Sequence, residues 1–476
     1  MKKKTKLLLV PCAAAALTLG ASMMSYAATG WAEEGGQWVY YNNDGSRATD
    51  VFKKSGNGWY YLDSDGYMTK SSLIEVDDNY YYLDSMGAMV SNQWREVDNE
   101  ESGDGEPDTW WYYLQANGKA VKKSGSSSSV KTATLPTASG DAKFIFDEEG
   151  RMMSGWIDEN GEMLTDEDAW KTGIYYCGLE DGGRMASGWK YLTAEDDDSE
   201  KDRDGDGYYF YFNTNGKKVT DTDSKKINGR KYRFNEEGVA EFDWFAKPDT
   251  ASGSTASGSN MYYSTEEQCW LSTGWFKTVP GENVDAEAHD DDEPKWFYAN
   301  SNGELAKGEI KTIKGQKYGF DPNGIMLNGL YKITFEEDGK TIAQAEEIES
   351  ENELPEEGDD VSVYYFGNSP KEGAMKTGTC TLDIDGEKYY YKFKTSGSDK
   401  GAGVDKIDDD SIYVKGKRLE AEEGSKYEVI TYGGEDYLVS TSGKIMKNKK
   451  NIKDADDTYY TTNSKGIVIR QGAEKE

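Results

Sequence analysis

Rings, rather than reactive groups, carry most of the chemistry open to this chain. Of 476 residues, 34 are Tyr, 14 Phe and 13 Trp. They recur at alternate positions of short runs: Trp38 and Tyr40, Trp59 and Tyr61, Tyr80 and Tyr82, Trp111 and Tyr113, Trp296 and Tyr298. Alternate residues of a strand share a face, so each pair sets two rings side by side, and such rings stack. Acid–base and nucleophilic chemistry has little to draw on. The single histidine, His289, lies in AEAHDDDEP, which leaves Ser-His-Asp, Cys-His and His-ligated zinc chemistry without a base or a ligand set. Of four cysteines, Cys12 lies in a basic-then-apolar leader; the remaining Cys177, Cys269 and Cys380 are an odd number, far apart and without CxxC spacing, so neither a disulfide framework nor a zinc site follows. One run has metal-ligand spacing. Asp202, Asp204, Asp206 and Gly207 read D-x-D-x-D-G, the first half of a calcium loop. Its twelfth position is Asn213 rather than a bidentate Glu, and the following YYFYF is a strand pattern. A solvated acidic loop is therefore the competing reading, and calcium is a possible cofactor only there.

The rings sit in a repeated phrase. WVYYNNDG, WYYLDSDG and YYYLDSMG end at Gly45, Gly66 and Gly87, which are 21 residues apart and 21 again. The phrase returns at Gly118, Gly150, Gly216, Gly238, Gly303 and Gly324, and weakly at Gly443 and Gly466. Tyr, Trp and Phe in a short run favour a pleated, half-buried strand. The Asn-Gly, Asp-Gly and Ser-x-Gly endings predict a tight hairpin turn at the glycine, with a shorter strand after it. A lone hairpin makes no core, but a stack does. The predicted fold is all-β: a solenoid of stacked β-hairpin repeats of about 20 residues each, with loop insertions.

Counting back from each glycine separates two faces. Positions six and four before it are Val39/Tyr41, Tyr60/Leu62, Tyr81/Leu83, Tyr112/Leu114, Phe144/Phe146, Phe210/Phe212, Tyr232/Phe234, Phe297/Ala299 and Tyr318/Phe320, an apolar set assigned to the core. Positions seven and five hold the ring pairs in some copies and Lys143/Ile145, Lys231/Arg233 and Lys317/Gly319 in others. A face that tolerates Lys and Arg is not a buried core. Its rings are presented to solvent or to the neighbouring repeat.

These residues resemble the choline-binding, or cell-wall-binding, repeats of Gram-positive surface proteins, whose phrase is approximately GWxxxxGxWYYLxxxGxMxxGW. Gly30-Trp31 through Trp38 and Tyr40 follow it, as do Gly58-Trp59-Tyr60-Tyr61-Leu62 with Gly66 and Met68, Gly150-Arg151-Met152 with Gly155-Trp156, and Gly183-Arg184-Met185 with Gly188-Trp189. The resemblance fades after about residue 330. It implies binding of choline on wall teichoic acids in aromatic cages, and a cation over ring faces gains roughly 0.5–2 kcal/mol per ring. Carried over to this chain, the first cage combines Trp31 with Trp38, Tyr40 and Trp59. The second takes Tyr61, Tyr80 and Tyr82, the third Trp94, Trp111 and Tyr113, and the fourth Trp275, Trp296 and Tyr298. Copies with Lys143, Lys231 or Lys317 are expected to be structural only, because a lysine there repels choline. Rings that merely stack between repeats, or that take a glycan, are the alternatives.

Residues 1–27 read as a secretory signal: Lys2, Lys3, Lys4 and Lys6, a short apolar stretch from Leu7 to Ala21, and Ser25-Tyr26-Ala27 before the cut. The apolar stretch is shorter than a membrane span. An N-terminal array then covers 28–121, a Ser/Gly/Thr-rich linker 122–140, a central array with insertions 141–330, an acidic loop or linker 331–360 with a possible short helix, and diverged repeats 361–476. A second Ser/Gly/Thr-rich stretch runs from Lys247 to Asn260.

Lys plus Arg total 55 against 88 Asp plus Glu, a net charge of −33. That opposes nucleic-acid phosphates and anionic lipid alike. The repeats leave no stretch for a separate catalytic domain, although a carboxylate pair cannot be struck out by counting. The expected protein is secreted, wall-associated and non-catalytic, docking on choline or a related teichoic acid or glycan component. A surface adhesin or scaffold with architectural repeats, or a glucan-binding module, is the rival.

Overall fold

A computed structural model of the chain describes residues 29–100, 107–125, 129–178, 182–194, 207–247, 259–367 and 370–475. The expected signal segment lies outside the described residues. The chain divides into two compact units, Met1–Glu241 and Phe242–Glu476, each built mainly of antiparallel strand pairs. The all-β solenoid of paired hairpins expected from the repeat is what the strands form.

The first unit opens with five hairpins in chain order. They are β1 (Gly30–Glu34) with β2 (Gln37–Tyr41), β3 (Val51–Ser55) with β4 (Gly58–Leu62), β5 (Ser72–Val76) with β6 (Asn79–Leu83), β7 (Gln93–Asp98) with β8 (Thr109–Leu114), and β9 (Lys131–Thr137) with β10 (Gly140–Phe146). The unit continues with a four-stranded sheet over residues 155–185 and two more hairpins. The second unit has three hairpins between residues 244 and 320, then sheets of four and five strands, a further hairpin and a three-stranded sheet.

In the first three hairpins the tight turn lies before the aromatic strand, not at the phrase-ending glycine where the sequence placed it. Gly35-Gly36 and Asp77-Asp78 are two-residue turns with positive φ at both positions, the geometry that matches strand twist. The phrase-ending glycine closes a different turn. The Asp63 carboxylate accepts from the backbone N–H of Asp65 and Tyr67 at 3.0 and 2.8 Å, and Gly66 N–H donates to Asp63 O at 2.9 Å. Asp84 repeats the pattern with Met86 and Ala88. An aspartate three residues before the glycine mimics a backbone turn, and the chain folds back as a short third segment.

That third segment joins copies. Met68 N–H donates to Trp38 O, Met89 to Trp59 O, Ala120 to Tyr80 O and Met152 to Trp111 O, all at 2.8 Å. One residue further on, Thr69, Val90 and Val121 donate to Tyr61, Tyr82 and Tyr113 of their own hairpins. The methionines cover the next glycine. A Cβ on Gly87, whose φ is +77°, would stand 2.6 Å from Met68 Sδ, so the close approach and the backbone both require glycine.

The face assigned to the core is buried except at Tyr41 and Tyr81, which are half-buried. Leu62, Leu83, Leu114, Phe146, Phe212, Phe234 and Phe320, each four before its glycine, are sealed from solvent. Two expected loops are instead ordered strands. In the linker expected over 122–140, Lys131–Thr137 pairs with Gly140–Phe146, because Leu135 is buried and Ala133 packs beside Phe144. In the acidic stretch expected as loop or helix, Ile342–Glu347 pairs with Gly329–Phe335, anchored by buried Ile342, and the only helical turn there is Glu351–Glu353. Alternation of one buried apolar residue with polar neighbours suffices for a half-buried strand.

Candidate functional site

The ring pairs meet the next copy. In five hairpins the second residue of the first strand lies opposite the residue five before the glycine: Trp31 opposite Tyr40, Phe52 opposite Tyr61, Leu73 opposite Tyr82, Trp94 opposite Tyr113, Trp275 opposite Tyr298. Directly opposed side chains share a face. Where both are aromatic they set edge to face. Trp31 and Tyr40 lie 5.3 Å apart at 81°, Trp94 and Tyr113 5.3 Å at 69°, and Trp275 and Tyr298 5.2 Å at 67°. Each pair is a right-angled corner, left half-buried.

One wall of each corner then packs on the core of the following copy. Trp31 reaches Tyr60 at 5.5 Å, Phe52 reaches Tyr81 at 4.9 Å, Trp94 reaches Phe144 at 4.8 Å, and Trp275 reaches Tyr318 at 4.8 Å and Phe320 at 5.7 Å. Edge-to-face pairs of this kind gain about 0.5–1.5 kcal/mol beyond burial. The corner tryptophans are thus inter-copy packing residues as well as candidate ligand walls.

The four sequence-derived cages come together to different degrees. In the first, Trp31 and Tyr40 touch, but Trp38 and Trp59 make no ring contact with either; Trp59 is 43 % exposed and lies opposite Lys54. In the second, Tyr61 contacts Phe52 rather than Tyr80 or Tyr82, and those two pack with Leu73 against the Trp110–Tyr112–Leu114 core. In the third, Trp94 and Tyr113 touch while Trp111 packs against the same core cluster of Phe144 and Phe146. In the fourth, Trp275 touches both Trp296, at 6.3 Å, and Tyr298. Burial pushes the Tyr61 and Tyr80 phenols up, so they stay neutral.

Carboxylates stand beside three of these ring pairs. Glu33 lies opposite Trp38, Glu75 opposite Tyr80 and Glu96 opposite Trp111. Glu96 is exposed and accepts from Thr109 Oγ1 at 2.9 Å. A cation placed at such a ring therefore meets a negative neighbour; at Trp59 and Trp296 it meets Lys54 and Lys277 instead.

The chain's own cations already lie on several rings. Lys53 Nζ is 4.8 Å from the Tyr40 centroid and donates to Asn42 Oδ1 at 3.0 Å. Arg95 lies 5.9 Å over Tyr82, and Lys122 lies 5.4 Å over Tyr80 while pairing with Asp78. Lys218 is the most enclosed. Its Nζ lies 5.1 Å over Trp156 and 5.6 Å over Phe210, and donates to Trp170 O at 2.6 Å and Lys171 O at 3.1 Å.

Sequence reasoning missed Phe52, which holds the register of Trp31, and the Trp189–Tyr211 corner at 5.2 Å and 68°. The Gly188-Trp189 motif was the available signal for the second. It also missed the internal cations, because they come from the partner strand of the next copy. His289 sits in the helical turn Ala286–Asp290 with Nδ1 2.9 Å from Pro280 O, a structural role. Cys177, Cys269 and Cys380 form no disulfide among the described residues, and burial pushes the Cys177 thiol up to about 12. Asp202, Asp204 and Asp206 lie outside the described residues. Among the described residues no group of three or more His, Cys, Asp or Glu is placed to hold a metal, and no helix is long and apolar enough to cross a membrane.

The choline-binding repeat model matches residues 28–65 and 52–94. No curated protein matches the chain. Among solved structures, choline binding protein F from Streptococcus pneumoniae, crystallised in the presence of a peptidoglycan analogue, is 19% identical over 74% of this chain and 98% of its own, with a TM-score of 0.39. The modular autolysin LytC of the same organism is 17% identical over 65% of this chain and 56% of its own, with a TM-score of 0.35. A further choline binding domain from Streptococcus pneumoniae is 34% identical over 20% of this chain and 95% of its own, with a TM-score of 0.15. With every TM-score under 0.5, the assignment rests on the repeat match and on the residues that carry it. Residues 28–94 of this chain match the choline-binding repeat model, and its resemblance to the choline-binding, cell-wall-binding repeat family holds.

Proposed function

We propose that this chain is a secreted, non-catalytic binding protein that docks on choline-bearing wall polymer through ring corners between successive hairpins. The observation that carries the reading is the recurrent edge-to-face ring pair, formed by Trp94 with Tyr113 and by Trp275 with Tyr298 and left half-buried at the seam between copies. A trimethylammonium group has no hydrogen to donate and presents a large, weakly hydrated positive surface. Ring faces attract it electrostatically and also bury its methyl groups, worth roughly 0.5–2 kcal/mol per ring. Glu96 beside Trp111 adds an attractive charge at the third cage. Individually weak corners on one chain engage a polymer together, and the second contact is made at high effective concentration.

The test is retention of the mature chain on a matrix bearing choline. A chain with a net charge of −33 also sticks to any cationic matrix by ion exchange, so the eluant decides. Release by free choline at a concentration where sodium chloride leaves the protein bound supports the proposal. Equal release by both salts, or release by soluble glucan but not by choline, overturns it in favour of ion exchange or of a glycan ligand.

A further inference from the structure

One register position in every hairpin faces the corner of the preceding copy. It is the cross-strand partner of the residue six before the glycine: Lys53 opposite Tyr60, Ile74 opposite Tyr81, Arg95 opposite Tyr112, Ala133 opposite Phe144, Lys225 opposite Tyr232 and Lys311 opposite Tyr318. Where this residue is Lys53, its ammonium lies on Tyr40 of the copy before and is fixed by Asn42 Oδ1. Lys225 makes the same bond to Asn213 Oδ1, at 3.2 Å, but does not lie over the Tyr211 ring. Asn42 and Asn213 both stand three before their glycines. Arg95 lies on Tyr82. Where the position is Ile74 or Ala133, no lysine or arginine lies over Tyr61 or Tyr113 among the described residues.

From this pattern we infer that this position is a specificity gate: a lysine or arginine there that seats on the preceding ring, as Lys53 does on Tyr40 and Arg95 on Tyr82, excludes an external quaternary ammonium, whereas Ile74, Ala133 and Lys311, which is drawn off by Glu309 at 2.7 Å, leave the corner open. The inference rests on the choline reading above. Two like charges cannot share one ring face without repulsion, and the internal ammonium sacrifices little on binding because its backbone is already fixed. The array therefore has fewer ligand sites than ring corners. The Tyr40 and Tyr82 corners are closed by a cation, and the Tyr61, Tyr113 and Tyr298 corners are open. Gln115 stands three before Gly118, where Asn42 stands in the closed first copy, so a lysine introduced at 133 would find an acceptor of the same kind.

Counting choline equivalents by equilibrium dialysis tests the gate, with the whole mature chain as parent and Lys53→Ile and Ala133→Lys as variants. Ile is what the next copy carries at this position, so Lys53→Ile is compatible with the hairpin; Lys53→Met serves if it fails to fold. The expected result is one equivalent more than the parent for Lys53→Ile and one fewer for Ala133→Lys. The same number of equivalents in parent and both variants overturns the gate while leaving the choline reading standing. No choline bound by any of the three overturns the reading and the gate with it.

Discussion

Lys53 Nζ stands 4.8 Å from the centroid of the Tyr40 ring, on a hairpin that follows the one carrying Tyr40. A charged group of one copy thus occupies the ring of the copy before it. The same seam that buries apolar rings also sets the electrostatics of each corner, so packing and ligand selection fall to neighbouring residues of one strand. Trp31, Phe52, Trp94 and Trp275 supply the packing; the residue next to each in the following hairpin supplies or withholds a cation.

Trp94 should matter to stability before any ligand is added. It contacts Tyr113, Phe144 and Phe146, joining two hairpins. Trp94→Ala is expected to lower stability by about 3 kcal/mol, the usual size of a large-to-small change at a packed aromatic. Urea denaturation followed by fluorescence measures it, and a loss under about 0.5 kcal/mol, the level of an ordinary surface change, would mean that the seam is not where the copies are held.

The methionine that covers the next glycine gives a double-mutant cycle. Gly87→Ala places a methyl group against Met68 Sδ at positive φ, and is expected to cost about 2–4 kcal/mol from strain and crowding together. Adding Met68→Ala should recover the crowding part and leave roughly 1 kcal/mol of backbone strain. Purely additive effects would argue against the contact.

Asp63 holds its turn through two backbone N–H groups. Asp63→Ala leaves both without that acceptor and should cost about 1–2 kcal/mol, while Asp63→Asn keeps an oxygen in place and should cost much less. Equal losses in the two variants would show that charge, not turn geometry, is what matters there.

Burial lowers the Lys218 ammonium to about 8 from its ordinary 10.5. Because the folded value is the lower one, the unfolded chain binds more protons between those two values, and stability rises with pH across that window. Below about pH 8 this group contributes no slope. Lys218→Met, the residue type at the same position in several other copies, removes the rise. The measurement is the difference in urea midpoint between parent and variant at pH 7.5 and pH 10.5, which cancels the shared tyrosine titrations. A difference that does not change between the two pH values would mean that Lys218 titrates normally.

The architecture was legible because alternation and a 21-residue glycine spacing are both local signals. The apolar residues four before each glycine are sealed as the two-face division requires, from Leu62 to Phe320. The division of the ring face was not legible. Trp31 finds Tyr60 and not Trp59, because neighbouring hairpins meet through the second residue of the leading strand, and that strand has no aromatic signature in copies such as SLIEV or EIKTI. The position of the tight turn was misplaced for the same reason: Asp77-Asp78 lacks the glycine that usually marks such a turn, whereas Gly66 advertises a turn of another kind. Lys131–Thr137 and Ile342–Glu347 read as loops because one buried side chain each, Leu135 and Ile342, is too little pattern to outweigh their polar neighbours. The gate residues carried no signal in isolation, since Lys53 becomes a ring neighbour only once the stacking register is known.

A crystal structure of the mature chain grown with choline addresses the central claim most directly. Trimethylammonium density against Trp94 and Tyr113 and against Trp275 and Tyr298, with Lys53 still on Tyr40, is the expected result. Density in none of the corners, or on Tyr40 with Lys53 displaced, would contradict it.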